Sequence, residues 1–163
     1  MSTSTPHDDV KQIQAALAGL GGAIGIPELA WDEQGCCALQ FDDLTVNLEH
    51  EAAAAQIYIM CRVGQAPGHE GDRLALYQKL LESNCFFRGT GGGVLGIDGP
   101  EGGIILTHKI SSGGLDGARF TAIIEAYVNI AEKLHAELVA GAAQSSGEAK
   151  RESHDPAMMA LRV

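Results

Sequence analysis

Between residues 10 and 63 the spacing of apolar side chains changes once, from the three-and-four step of a helix to the two-step of a strand. That change limits the chain to folds that set helices against an antiparallel sheet. Val10, Ile13, Leu17 and Leu20 recur at helical intervals, with Thr5 placed to cap, Pro6 at the first helical position and Asp8 and Asp9 in the first turn. Gly21 and Gly22 mark the expected end of this amphipathic helix, and "AIGIPELAWDEQG" leads away from it. Cys37, Leu39 and Phe41 then alternate with Ala38 and Gln40, Asp42 and Asp43 can turn the chain, and Leu44, Val46 and Leu48 alternate with Thr45, Asn47 and Glu49. A third run places Ile57, Ile59, Cys61 and Val63 on one face, which gives three strands of an antiparallel meander. The intervening "EHEAAAA" suits a helix by its alanines and a strand by its surroundings.

The helical step returns after the turn-forming "GQAPGHEG", where Gly71 or Asp72 can cap a second helix that ends at Asn84. Leu74, Tyr77 and Leu81 form one seam on it, and Leu76 and Leu80 a second. A helix with two apolar stripes can face both its own sheet and another subunit. Val94 to Ile97 and Gly103 to Ile110 read as a hairpin joined by "DGPEG". Phe120, Ile123, Ile124, Tyr127, Ala131, Leu134 and Leu138 specify a last helix from an Asp116 cap to about Ala140. Residues 141–163 are small, polar and aperiodic, and are expected to form a flexible tail carrying Met158, Met159 and Leu161. The expected fold is α+β: one domain over residues 1–140, with an antiparallel twisted sheet of about five strands and three helices, in the order α-β-β-β-α-β-β-α.

A chain of 163 residues buries about 70% of the surface its unfolded form exposes, so it needs no disulfide or metal to hold it. Its apolar runs fall short of the roughly 20 residues a membrane helix requires. "MSTSTPHDD" has neither the basic nor the apolar region of a secretory signal, and the expected location is the cytoplasm. Cys36, Cys37, Cys61 and Cys85 show no CxxC spacing and sit in apolar runs, so they read as reduced core thiols. A formal net charge of -10 argues against nucleic acid and anionic membrane as partners, because affinity for phosphates comes from Lys and Arg.

No motif carries catalysis. Gly91, Gly93 and Gly96 satisfy GxGxxG as text, but the dinucleotide fingerprint must follow a strand and open a helix, whereas these glycines follow a helix and open a strand. No GK[ST] follows them. His50 and His69 each begin an HExxH-like run whose fifth position is Ala54 or Arg73, so neither pair of zinc imidazoles is complete, and His108 and His135 stand alone. The expectation is therefore no catalytic residue, no cofactor and no metal.

"LLESNCFFRGTGGGVLGID", Leu80 to Asp98, resembles the type III secretion chaperones of the Tir-chaperone (CesT) type, in which a helix ends in asparagine, two aromatics follow and a glycine-rich segment enters a strand. "LGGAIGIPELAWDEQGCCALQFDD" and "LDGARFTAIIEAYVNIAEKLH" extend the resemblance over roughly residues 10 to 138. It implies a homodimer without catalysis, which binds the N-terminal segment of secreted effectors in extended form and hands it to the secretion ATPase or export gate. By the same resemblance, Leu76, Tyr77, Leu80 and Leu81 are dimer-interface candidates. Val10, Ile13, Leu17, Leu20, Leu39, Phe41, Leu44 and Val46 are candidates for the effector-binding surface. Cys85 departs from the family, which has an aliphatic there more often. A regulatory module of the YbjN type on a related fold is the alternative, one that would bind a folded partner or small molecule.

Overall fold

A computed structural model of the chain describes the backbone of residues 6–152 and the side chains of residues 10–142. Thr5 lies outside the described residues. The first helix, α1 (Pro6–Ile24), runs through Gly21 and Gly22 instead of stopping there. Its end is a Schellman turn one step later: Gly25 takes φ 80, and the Ile26 N–H donates to the Gly21 carbonyl at 2.7 Å. Gly21 has another task, since a Cβ there would stand 2.3 Å from the Ile26 oxygen and 2.8 Å from Leu29 Cβ. The returning chain packs directly on the helix backbone at that point.

Five strands follow the predicted pattern: β1 (Cys36–Phe41), β2 (Leu44–Glu51), β3 (Gln56–Gln65), β4 (Val94–Asp98) and β5 (Gly103–Ser111). They form one antiparallel sheet in the order β1-β2-β3-β5-β4. Asp42, at φ 45, makes the β1–β2 turn. The ambiguous alanine run divides: His50 and Glu51 stay in β2, and Ala52 to Ala55 form a turn in which Ala55 takes φ 51. Pairing of Glu51 with Gln56 across that turn overrides the helical preference of alanine. Between β3 and β4 lie α2 (Glu70–Asn84) and a single 3-10 turn, Cys85–Phe87. The N-cap of α2 is His69, not Gly71 or Asp72, and Asp72 instead adds its carboxylate to the first turn, where the helix dipole favours it.

Register places Leu39, Val46, Cys61 and Leu106 side by side on one face, and that face packs against α1 and α3 (Gly117–Glu152). Ile13, Leu17 and Leu20 of α1 and Phe120, Ile124, Tyr127 and Ala131 of α3 complete a single core. The helices cross where Gly19 meets Gly117, at a distance a Cβ on either would close to about van der Waals overlap. Tyr127 donates its hydroxyl to the Leu106 carbonyl at 2.6 Å, and a His135 ring nitrogen lies 2.9 Å from the Val63 carbonyl, so α3 is pinned polar-to-polar along β5 and β3. Asp116 caps α3 as expected, its carboxylate accepting from the Arg119 N–H at 2.8 Å. The helix does not end near Ala140 but continues to Glu152, because nothing between Gly141 and that point breaks it as a proline would. The first half of the expected flexible tail is thus helical. Met158, Met159 and Leu161 lie outside the described residues.

Candidate functional site

The two outer strands of the sheet present different edges. On β4, the Leu95 N–H donates to Asn84 Oδ1 at 2.8 Å and its carbonyl accepts from Asn84 Nδ2 at 3.0 Å, so the side-chain amide at the end of α2 imitates one rung of a neighbouring strand. That edge is closed by the chain itself at its centre. On β1 the two-residue turn makes Phe41 and Leu44 a hydrogen-bonded pair, so Phe41, Leu39 and Cys37 spend their backbone groups on β2. Cys36, Ala38 and Gln40 therefore turn theirs outward. Asp32 satisfies Cys36, its N–H donating to the Cys36 carbonyl at 2.8 Å and its carboxylate accepting from the Cys36 N–H at 2.7 Å. Among the described residues no backbone group pairs with the outward rung of Ala38 and Gln40, which remains open.

Beside that open rung lies a groove of about 530 Å³ between the 26–32 connection and the outer face of the sheet, where Ala38, Asn47 and Met60 stand in register across three strands. Ile26, Leu29, Ala30 and Leu48 add apolar lining, and Glu28, Asp32 and Glu49 add carboxylates. A second, smaller concavity lies between α1, β1 and α3, lined by Leu20, Ile24, Phe41, Ile124 and Val128.

An exposed apolar surface occupies the other end of the molecule. Leu74 and Leu81 on α2 are 72% and 71% exposed, and Phe86 and Phe87 of the adjoining 3-10 turn are 80% and 52% exposed; Val94 and Ile97 of β4 are exposed too, on opposite faces of that strand. Phe86 and Phe87 both hold φ 55, a left-handed backbone that bulky side chains rarely adopt and that costs about 1–3 kcal/mol at each residue. The Arg88 guanidinium lies 5.5 Å from the Phe86 ring centroid. In the glycine segment after them, Gly91 and Gly92 take φ 58 and 97, and a Cβ on Gly93 would stand 2.9 Å from the Thr107 carbonyl. The segment then enters β4, so its glycines serve a crossover under β5 and present no helix terminus to a phosphate.

Six of the eight effector-surface candidates, Ile13, Leu17, Leu20, Leu39, Leu44 and Val46, are at most 3% exposed and belong to the core. Leu39, Leu44 and Val46 face the helices and Ile13, Leu17 and Leu20 of α1 pack into the same core, so of the eight only Val10 and the half-buried Phe41 offer surface within one protomer. Of the four α2 candidates, Leu80 is buried and Leu76 and Tyr77 pack on the core, while Leu81 points out. Periodicity identifies an apolar face without saying whether its own chain covers it. Leu74 belongs to a seam the sequence already shows, and Phe86 and Phe87 stand out there as an apolar pair beside Arg88; that all three are exposed follows only from the backbone. The β1 edge has no signature in the sequence, since it depends on which strand ends the sheet.

The cysteines are free, and not all are core. Cys61 is buried, which pushes its thiol up to about 11, and partial burial also raises Cys36 and Cys37. Cys85 is exposed, because the chain leaves α2 in an extended conformation at that residue. Among the described residues no three His, Cys, Asp or Glu side chains are grouped to hold a metal, and no helix is long and apolar enough to cross a membrane.

The fold recurs in solved structures. A chain of the ExsC–ExsE complex superposes with a TM-score of 0.64 at 24% identity, covering 79% of this chain and 95% of that one. A chain of the HopA1–SchA chaperone–effector complex gives 0.62 at 14%, covering 83% and 98%. The Yersinia pestis type III secretion chaperone SycH, in complex with a stable fragment of YscM2, gives 0.58 at 20%, covering 75% and 98%. In sequence, the Chlamydia pneumoniae protein CPj0713/CpB0740 is 26% identical over 113 residues, 69% of this chain and 85% of that protein. Residues 15–135 match the model of one family, a span that runs from α1 through the sheet into α3, and the chain belongs to that family, the Tir chaperone protein (CesT) family.

Proposed function

We propose that this chain is a cytoplasmic type III secretion chaperone, a homodimer that binds the N-terminal segment of one or more effectors, keeps it extended and passes it to the secretion apparatus. The observation that carries the reading is the open β1 rung at Ala38 and Gln40 beside an apolar groove, on a fold shared with chaperone–effector complexes. An extended segment gains backbone hydrogen bonds by adding to such an edge and places alternate side chains in the groove. The gain in buried apolar area is offset by the entropy of ordering the segment, which keeps binding reversible enough for release. The same reading assigns no catalytic step, cofactor or metal to the chain, and makes the secretion ATPase or export gate the site of release.

The exposed surface of Leu74, Leu81, Phe86 and Phe87 supports the dimer, since apolar side chains of this size at such exposure favour a covering partner. Co-expression of the full chain with the first hundred or so residues of an effector from the same organism is expected to give a soluble complex. In it, the effector segment resists a protease that degrades it when free. Failure of every secreted protein of that organism to form such a complex would overturn the proposal.

A further inference from the structure

The groove beside β1 is apolar at its floor and acidic at its rim. Glu28 and Asp32 on the connection after α1 and Glu49 on β2 line it with exposed carboxylates, and among the described residues its lining includes no Lys, Arg or His. Among the described residues none of the three carboxylates forms an ion pair, although Asp32 Oδ1 accepts from the Gln34 and Cys36 N–H groups at 2.9 and 2.7 Å. The fields of two of them meet at one point: the Cys36 thiol, opposite Glu49 in the sheet, is raised first by partial burial and then by Asp32 and Glu49. Three carboxylates around an apolar recess, with no ion-pair partner among the described residues, repel an acidic segment and attract a basic one.

We infer that the segment taken by this groove is basic as well as apolar, an extended stretch that adds to β1 and carries Lys or Arg next to the apolar residue it places over Ala38 and Met60. This rests on the proposed capture of extended effector segments and names the chemistry of what is captured. Apolar burial holds the segment, and the rim sets which segments enter and how fast.

The test uses the full chain as bait for a displayed library of random peptides, beside a Glu28→Gln/Glu49→Gln variant and a Glu132→Gln control whose carboxylate lies on α3 outside the groove lining. Peptides selected by the unaltered chain and by the control are expected to combine apolar residues with Lys or Arg, and those selected by the double variant to lose the basic ones. A selected peptide labelled for fluorescence anisotropy is expected to bind the double variant about 3- to 10-fold more weakly in low salt, the difference closing in high salt, as for exposed charge pairs. Selection of apolar peptides with no basic preference overturns the inference and leaves the capture of extended segments intact. Selection of no peptides by any of the three proteins overturns both.

Discussion

Asn84 shows how much one side chain can settle. Both of its amide hydrogen bonds go to the backbone of Leu95, and together they tie the end of α2 to the outer strand and close that strand's edge. Asn84→Ala is expected to lower stability by about 1–3 kcal/mol, the worth of two hydrogen bonds with a partly buried partner left unpaired, read from the midpoint of urea unfolding. Asn84→Asp keeps the acceptor and loses the donor, so it falls between. The letters "SNCFF" mark the end of a helix in the sequence, but the strand rung lies eleven residues on and is visible only in space. The thiols separate in the same way. Cys85 is expected to react with iodoacetamide first in the folded protein and Cys61 not until it unfolds, as peptide mass spectrometry would resolve. Cys61 holds its proton more tightly folded, near 11, than unfolded, at 9.0, so the unfolded chain loses the proton first as pH rises. That contribution is whole below pH 9 and is lost progressively above it, and the Tyr127 hydroxyl, also raised by burial and bonded to Leu106, adds to the same alkaline loss. Cys61→Val is expected to flatten the decline in stability between pH 9 and 11 relative to the unaltered chain.

At the level of elements, the strands were legible because a two-residue period with one buried face admits a single register, and all five lie close to where alternation puts them. Helix ends were less so. Gly21 and Gly22 look alike in the sequence, yet both are inside α1 and their environments differ completely. A Cβ on Gly21 meets the Ile26 carbonyl and Leu29, whereas one on Gly22 meets nothing within 4 Å and faces solvent. Gly21→Ala is therefore expected to cost about 1–3 kcal/mol by overpacking, and Gly22→Ala to stabilise by about 0.5–1 kcal/mol by restricting the unfolded chain, as paired thermal melts would show. The end of α3 was misplaced because loss of apolar periodicity does not by itself end a helix: no proline interrupts residues 141–152, and the backbone stays helical to Glu152.

For the whole molecule, the sequence reveals an excess of apolar residues on α2 but not which of them its own sheet consumes. The fold uses Leu80, Leu76 and Tyr77, and what is left over is Leu74 and Leu81 beside the two aromatics of the 3-10 turn. If a second copy covers that surface, Leu74→Glu/Leu81→Glu is expected to convert the protein to a monomer in light scattering with an unchanged far-ultraviolet spectrum, since neither side chain supports the protomer's own core. The aromatics allow a sharper test. Phe86 is held at φ 55 with most of its ring in solvent, so within one protomer it carries backbone strain without burial in return. Glycine has no penalty in that conformation, and Phe86→Gly in the monomeric background is expected to raise stability by about 1 kcal/mol. In the unaltered background the same substitution is expected to weaken association, because a ring that size contributes its apolar area to whatever covers it. Opposite signs in the two backgrounds, read from urea midpoints and from the concentration dependence of light scattering, would mean that the strained turn is maintained for contact with another subunit. A gain in stability with no loss of association would mean that the surface is covered by something other than a second copy of this chain.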